Sequence, residues 1–95
     1  MSLAIVIPVF NEEKNIKKLI NDWHAAVRKN YKKKYKFIIV NDGSTDKTHK
    51  ILKSINKKNI VYILQKNAGH GNACLKGYKF ALKKNFEIIM QIDSD

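Results

Sequence analysis

The chain of 95 residues has one cysteine, one proline, one tryptophan and one arginine, and only eight acidic residues. With Cys74 alone, an internal disulfide is excluded, which fits a reducing compartment. No apolar run approaches the roughly 20 residues that span a bilayer, and no charged-then-apolar leader precedes the first apolar segment. We therefore expect a soluble, cytoplasmic polypeptide.

Basic residues, in contrast, are abundant, and the formal net charge is +11. All of the cationic side chains except Arg28 are lysines, whereas specific recognition of bases and phosphates relies on bidentate arginine. This predominance of lysine over arginine indicates a solvated surface and makes nucleic acid an unfavoured partner. A non-enzymatic basic module that binds nucleic acid or an anionic membrane stays open as an alternative, with residues 31–36 as its densest cluster.

A hydrophobic content of 44% with regular periodicity predicts a folded chain. Its length suits one small domain but is below that of a usual complete α/β enzyme. We therefore expect a single domain over residues 1–95, truncated from a longer protein. Residues 1–3 carry no recognisable functional signal.

Strand-like and helix-like patterns alternate from end to end in the order β-α-β-α-β-α-β. Four short apolar runs are predicted as buried strands, over residues 4–9, 37–40, 60–64 and 87–92. Strands separated by helices imply a three-layer, Rossmann-like α/β fold with a mostly parallel sheet and right-handed crossovers. The expected strand order is 3-2-1-4.

The first helix is predicted to begin near Asn11, with Glu12 and Glu13 in its first turn. Its apolar stripe places Trp23 in the core and leaves His24 on the surface. The stripe consists of Ile16, Leu19, Ile20, Trp23, Ala26 and Val27.

The second helix is predicted to begin at Ser44 or Thr45, with Asp46 in its first turn. The third follows Gly69 and Gly71, and Gly77 within it is expected to allow close helix packing. The side chains expected to be buried by this third helix are Cys74, Leu75, Tyr78, Ala81 and Leu82.

Acidic residues concentrate where the predicted strands end. In open α/β sheets, ligands bind outside the carboxyl ends of the strands. Six of the eight acids lie at or just past these ends, namely Glu12, Glu13, Asp42, Asp46, Asp93 and Asp95. Asp93 and Asp95 are spaced so that both carboxylates face one point of an extended segment, which suits Mg²⁺ or Mn²⁺.

Each residue at a strand end also has a structural interpretation. Pro8 could simply end its strand, and Phe10 could be core or could stack on a nucleobase. Glu12 could cap a helix. Asp42 could be a turn residue, but a carboxylate there could also accept a hydrogen from a base or ribose, and Gly43 would let the backbone approach that ligand.

Gly69, His70 and Gly71 do not form a dinucleotide fingerprint, because Cys74 occupies the place of the third glycine. No P-loop is present either. These glycines are instead expected to open the third helix and turn its N–H groups towards a phosphate or sugar. His70 itself is interpreted as a turn or helix-start residue.

Three segments together resemble family 2 glycosyltransferases of the GT-A fold: residues 5–12 (IVIPVFNE), 40–46 (VNDGSTD) and 91–95 (QIDSD). Their order and spacing match along essentially the whole chain. Residues 69–77 (GHGNACLKG) are similar to the polyprenyl-phosphate, dolichyl-phosphate-like branch of that family.

This resemblance implies a binding site for a nucleoside diphosphate sugar, with Phe10 near the base and Asp42 accepting a hydrogen bond. The implied donor-binding residues are Pro8, Phe10, Asn11, Glu12, Asp42, Gly43, Gly71 and Asp93. Asp93 and Asp95 match the Asp-x-Asp motif of the family and would hold the Mg²⁺ or Mn²⁺ that stabilises the departing diphosphate.

The implied activity is an inverting, metal-dependent transfer from a UDP- or GDP-sugar to an acceptor hydroxyl or polyprenyl phosphate, in cell-envelope or polysaccharide biosynthesis. The catalytic base of the family follows Asp-x-Asp, so we expect it beyond residue 95 and expect the 95-residue chain to be inactive alone. Membrane association at the inner face would come from the rest of the parent.

A nucleotidyltransferase is the alternative enzyme, although it would normally carry a basic glycine-rich loop after strand one. A receiver-like signalling domain fits the strand ends less well.

Overall fold

Four parallel strands and three helices alternate along residues 1–94, which are the residues that this computed structural model describes. The sheet order is β3-β2-β1-β4, as expected from the sequence. The elements are β1 Leu3–Val9, α1 Ile16–Asn30, β2 Tyr35–Asp42, α2 Thr48–Ser54, β3 Ile60–Gln65, α3 His70–Lys83 and β4 Ile88–Gln91.

The two central strands carry the core because their side chains are covered on both faces. All seven residues of β1 are buried, and β1 pairs with β2 from Leu3↔Tyr35 to Val9↔Asn41. Alternate residues point to opposite faces. Ile5 and Ile7 therefore pack against α1 and α2, whereas the even-numbered residues of β1 pack against α3.

The edge strands are less buried than predicted. Leu64 on β3 is 59% exposed, and Ile88 and Met90 on β4 are 39% and 38% exposed. The prediction of four buried strands is therefore wrong for β3 and β4. An apolar run resembles a buried strand in sequence, but an edge strand has only one neighbour in the sheet.

Gly77 brings α3 directly onto the sheet. A Cβ atom at this position would lie 2.4 Å from Cγ1 of Val6, which is closer than real carbon contacts allow. The expected role of Gly77 in close helix packing is thus confirmed. The contact sets the distance between α3 and β1, and with it the position of the first turn of α3.

Two helices begin later than predicted. The first starts at Ile16 rather than at Asn11, so Glu12 and Glu13 precede it, and the second starts at Thr48, so Asp46 lies outside its first turn. The reason is tertiary, because the backbone N–H of Glu12 bonds to the side chain of Thr48, the first residue of α2, and that of Glu13 bonds to Asp46 just before it.

The buried stripe of α1 differs from the predicted one. His24 is only 9% exposed, whereas Trp23 is 37% exposed, so both predictions are wrong. The His24 ring lies 5.9 Å from that of Phe37, and its Nε2–H donates to the Lys58 carbonyl at 3.0 Å. A histidine whose polar atom finds a backbone partner can replace an apolar core residue.

Two residues predicted as core on α3 are also exposed: Leu75 by 46% and Leu82 by 64%. The buried face of α3 instead consists of small side chains, Ala73, Cys74, Gly77 and Ala81. Small residues are needed there because the helix lies so close to β1. None of the three helices formed by residues 1–94 combines the length and the hydropathy that a transmembrane span requires.

Candidate functional site

A pocket of about 390 Å³ opens at the carboxyl edge of the sheet, within the usual size range of small-molecule sites. Its wall comes from the ends of β1 and β2, the loop between β3 and α3, the start of α3 and the segment after β4. The lining residues are Pro8, Val9, Phe10, Glu12, Asp42, Asn67, Gly69, His70, Ala73 and Ser94.

Pro8 explains why the segment after β4 lines this pocket. The carbonyl of Val6 accepts the N–H of Ile92 at 2.9 Å, which continues the pairing of β1 with β4. Pro8, two residues further along the same side of β1, has no N–H to continue the ladder. Its carbonyl instead accepts the Ser94 hydroxyl at 3.0 Å, so the chain leaves the sheet here.

Asp42, the last residue of β2, is the buried carboxylate of the pocket and is only 3% exposed. Its Oδ1 accepts Gln65 Nε2 and the Ala68 N–H, both at 2.8 Å. Its Oδ2 accepts the Gly69 N–H at 2.9 Å. Asp42 therefore holds the loop between β3 and α3 and, through it, the start of α3.

These hydrogen bonds also set the ionisation of Asp42. Burial alone would raise its pKa, but the bonds from Gln65, Ala68 and Gly69 outweigh burial, and the pKa lies below its ordinary value. Asp42 is thus a carboxylate at neutral pH, with most of its acceptor capacity already used.

Gly43 serves the same loop. Its φ is +66°, and an added Cβ would lie 2.6 Å from the backbone nitrogen of Asn67. Asn67 in turn donates from Nδ2 to the Asp42 carbonyl at 3.0 Å. Gly43 does not line the pocket, but it permits the close approach of the neighbouring loop's backbone.

Asn11 connects the β1–α1 turn to the segment before α2. Its φ is +51°, and its Oδ1 accepts the Thr45 N–H at 2.7 Å and the Asp46 N–H at 3.3 Å. Glu12 follows with its own N–H bonded to Thr48 Oγ1 at 2.9 Å. The structure therefore directs the Asn11 side chain to the scaffold, while Glu12 lines the pocket.

Phe10 is 45% exposed on the pocket wall, which excludes a core role for its ring. An exposed ring beside a buried carboxylate offers a flat apolar surface for a base and a hydrogen-bond acceptor for its edge.

His70 and Asp93 meet at the rim of the pocket. Nε2–H of His70 donates to Asp93 Oδ1 at 3.2 Å, and Gln91 Nε2 donates to the same oxygen at 2.8 Å. The Gln91 amide is oriented by the Tyr78 hydroxyl, which donates to its Oε1. The side-chain bonds from Gln91 and then His70 lower the pKa of Asp93. The carboxylate is therefore held in place and ionised.

The structure describes only one of the two predicted metal ligands, Asp93. Asp95, the second predicted ligand, lies outside the described residues. Within residues 1–94, no three His, Cys, Asp or Glu side chains are grouped so that they could hold a metal ion. Asp93 alone offers oxygen chemistry suited to Mg²⁺ or Mn²⁺, and a bound cation would need further ligands.

The structure thus brings four predicted residues to one pocket: Pro8, Phe10, Glu12 and Asp42. Asp93 bonds to the pocket-lining His70, which had been interpreted as a turn or helix-start residue and is the first residue of α3. Gly71 is the second residue of α3, is exposed, and does not line the pocket. Gln65 and Ser94 had no sequence signal of their own, since their roles depend on neighbours 23 and 86 residues away.

Comparison with known proteins identifies relatives along the whole described chain. The model of the family described as "Glycosyl transferase family 2" matches residues 4–95. An uncharacterized protein of Methanocaldococcus jannaschii is 41% identical over 98 residues, covering 98% of this chain and 40% of its own length. The UDP-N-acetylglucosamine–dolichyl-phosphate N-acetylglucosaminyltransferase of Methanococcus voltae is 33% identical over 108 residues, covering 98% of this chain and 41% of its own.

Among solved structures, the crystal structure of Staphylococcus aureus TarS 1–349 in complex with UDP-GlcNAc superposes with a TM-score of 0.81 at 28% identity. The match covers 100% of this chain and 27% of that one. The chain therefore spans well under half the length of the proteins it matches.

Proposed function

Because the chain belongs to glycosyl transferase family 2, we propose that it forms the donor-binding domain of an enzyme that transfers a sugar from a nucleoside diphosphate to an acceptor. One observation carries the proposal. The pocket at the carboxyl edge of the sheet joins an exposed aromatic ring, Phe10, to a buried ionised carboxylate, Asp42, with Asp93 held at its rim.

The nucleoside is proposed to lie against Pro8 and Phe10, which line one wall of the pocket. Asp42 accepts two bonds of 2.8 Å at Oδ1, whereas at Oδ2 it accepts the Gly69 N–H at 2.9 Å and only a long bond from Asn67 Nδ2 at 3.5 Å. A hydrogen bond from the base or ribose is therefore proposed to replace the long Asn67 contact at Oδ2. Asp42 also holds the loop between β3 and α3, which forms another part of the pocket wall. Base recognition and loop order therefore depend on the same carboxylate.

The diphosphate is proposed to lie near the first turn of α3 and Asp93. Helix N-termini present N–H groups that have no intrahelical partner and favour anions. Asp93, together with Asp95, would hold Mg²⁺ or Mn²⁺ there. When bound, the cation offsets the negative charge that develops on the leaving nucleoside diphosphate.

We infer a UDP-sugar as donor and a polyprenyl phosphate as acceptor. Support comes from the UDP-GlcNAc in the TarS complex and from the dolichyl phosphate in the name of the M. voltae relative. A polyprenyl phosphate would attack through an ionised phosphate oxygen, whereas an acceptor hydroxyl would need a base to take its proton, and we assign such a base to a part of the parent beyond residue 95. Work on such a lipid acceptor would place the parent at the cytoplasmic face of the membrane.

Calorimetry with UDP and with GDP, each with Mn²⁺, tests the donor site. We expect UDP to bind, and we expect Phe10→Ala to weaken it about tenfold, as loss of one base–aromatic stack does. Tyr62→Ala is the matched control, because Tyr62 is an aromatic residue of similar exposure on β3, outside the pocket. Absence of heat with both nucleotides, or equal weakening by both substitutions, would refute the assignment.

The basic-module alternative makes the opposite forecast. Binding to RNA or to anionic vesicles would fall with added salt and survive Asp42→Asn and Asp93→Asn. Nucleotide binding at the pocket would instead be lost in these variants. Measurements on the Asp42→Asn and Asp93→Asn variants therefore distinguish the two functions.

A further inference from the structure

A second pocket lies at the opposite, amino-terminal edge of the sheet and has a volume of about 460 Å³. It is formed by α1, the start of β2 and the loop between α2 and β3, and its lining residues are His24, Arg28, Tyr35, Lys57, Lys58 and Asn59. None of them belongs to the candidate donor site. The two pockets are therefore separate in space and in sequence.

The charge of this pocket is entirely positive. Arg28, Lys57 and Lys58 line it, and no carboxylate does. Within residues 1–94 the only ion pairs are Lys18–Asp22 and His70–Asp93, so the three cations are not neutralised by the described part of the chain. An anion that enters would be attracted by all three side chains.

The C-terminal end of α1 borders the pocket, and helix C-termini carry partial negative charge that disfavours anions. Two carbonyls of the last two turns have hydrogen-bond partners. The Val27 carbonyl accepts the Tyr31 N–H at 2.8 Å, and the Ala26 carbonyl accepts Asn30 Nδ2 at 2.8 Å. The helix end carries only about half a negative charge, so the full positive charge of Arg28 stays dominant.

The floor of the pocket is ordered by buried contacts. His24 Nε2–H holds the Lys58 carbonyl at 3.0 Å, and the Asn59 carbonyl accepts the Phe37 N–H at 2.8 Å. The His24 ring lies 6.5 Å from that of Tyr35 at an interplanar angle of 68°. The loop that carries the two lysines is thus anchored at Lys58 and Asn59, beside two aromatic rings.

We propose that this pocket is a second ligand site, for a compact phosphorylated small molecule. Arg28 supplies the planar fork that matches two phosphate oxygens, and Lys57 and Lys58 supply point charges around it. The rings of His24 and Tyr35 offer apolar surface for the remainder of the ligand. The site is independent of the donor pocket and of the proposed transfer reaction.

Inorganic pyrophosphate is the probe, titrated into the ¹⁵N-labelled 95-residue protein without added metal. We expect saturable shifts of the Lys58 and Asn59 amides and of the His24 ring. Removing one charged hydrogen-bond donor with Arg28→Ala is expected to weaken binding about tenfold. Lys57→Ala is a second variant at an exposed position, and melting temperatures show that each variant is folded.

Lys33→Ala is the matched control, since it removes the same charge from a residue outside the pocket. It should change affinity less than about twofold, as expected for a screened surface charge. If pyrophosphate affinity fell equally in all three variants, the binding would depend only on the net charge of the protein, and the proposal would be overturned. So would shifts confined to Ala68 and Gly69, or binding to phosphatidylglycerol vesicles that pyrophosphate does not displace.

Discussion

Nε2 of His70 lies 3.2 Å from Oδ1 of Asp93, so the first residue of α3 reaches across the pocket to the segment after β4. The two residues are 23 positions apart, and His70 begins α3 while Asp93 lies two residues past the end of β4. This bond joins the first turn of the helix, where the diphosphate is proposed to lie, to the carboxylate proposed to hold the cation.

Replacing His70 tests that connection. His70→Ala should leave the chain folded but weaken Mn²⁺-dependent UDP binding about tenfold, the usual effect of removing a residue that orients a metal ligand. His70→Gln, which keeps a donor, should restore part of the affinity. Calorimetry with and without Mn²⁺ measures both, and His49→Ala is the control. A loss that is equal without Mn²⁺ would contradict a role through Asp93.

Asp42→Ala should destabilise the fold by about 2 kcal/mol, because the N–H groups of Ala68 and Gly69 lose a buried acceptor. Urea denaturation followed by tryptophan fluorescence measures the change in free energy of unfolding. Asp22→Ala removes an exposed carboxylate that pairs with Lys18 and should cost less than about 1 kcal/mol. Similar losses in the two variants would show that Asp42 does not organise the loop.

The lowered pKa of Asp42 also predicts acid sensitivity. A carboxylate with a depressed folded-state pKa contributes stability that is fully present above its unfolded pKa, close to 3.8, and is lost as the pH falls through the lower folded value. The difference in melting temperature between the wild type and Asp42→Asn should therefore shrink below about pH 4. Asp46 and Asp93 titrate in both proteins, so their effects cancel. A difference that grows on acidification would reverse the assigned sign.

Gly77→Ala should destabilise the protein by about 1–3 kcal/mol, because the new methyl group overlaps Val6 across the helix–sheet contact. Val6→Ala in the same chain should recover part of the loss by removing the overlapping Cγ atoms, which a double-mutant cycle of unfolding free energies would measure. Gly71→Ala is the matched control, since nothing lies within 4 Å of its added Cβ. A loss at position 71 equal to that at 77 would exclude the packing explanation.

Local pattern was sufficient for the order of elements and for the edge of the sheet where the site lies. The continuous apolar run of β1 and the acidic residues after the strand ends are properties of residues that are neighbours in sequence. A parallel sheet brings the carboxyl ends of its strands to one edge, irrespective of the side-chain contacts made there. Periodicity was insufficient on α1 and α3. Trp23 and Leu82 continue an apolar stripe, but the side of the helix that meets the sheet is set by contacts such as Gly77 with Val6.

The sequence by itself determined the parallel α/β architecture, the family and the positions of Phe10, Asp42 and Asp93 at strand ends, because each follows from residues close together in the chain. Tertiary structure alone decided what these residues contact. Gln65, Ala68 and Gly69 hold Asp42, and His70 holds Asp93, through bonds between segments more than 20 residues apart. Such bonds leave no periodic trace in sequence, since their partners become neighbours only when the sheet has formed.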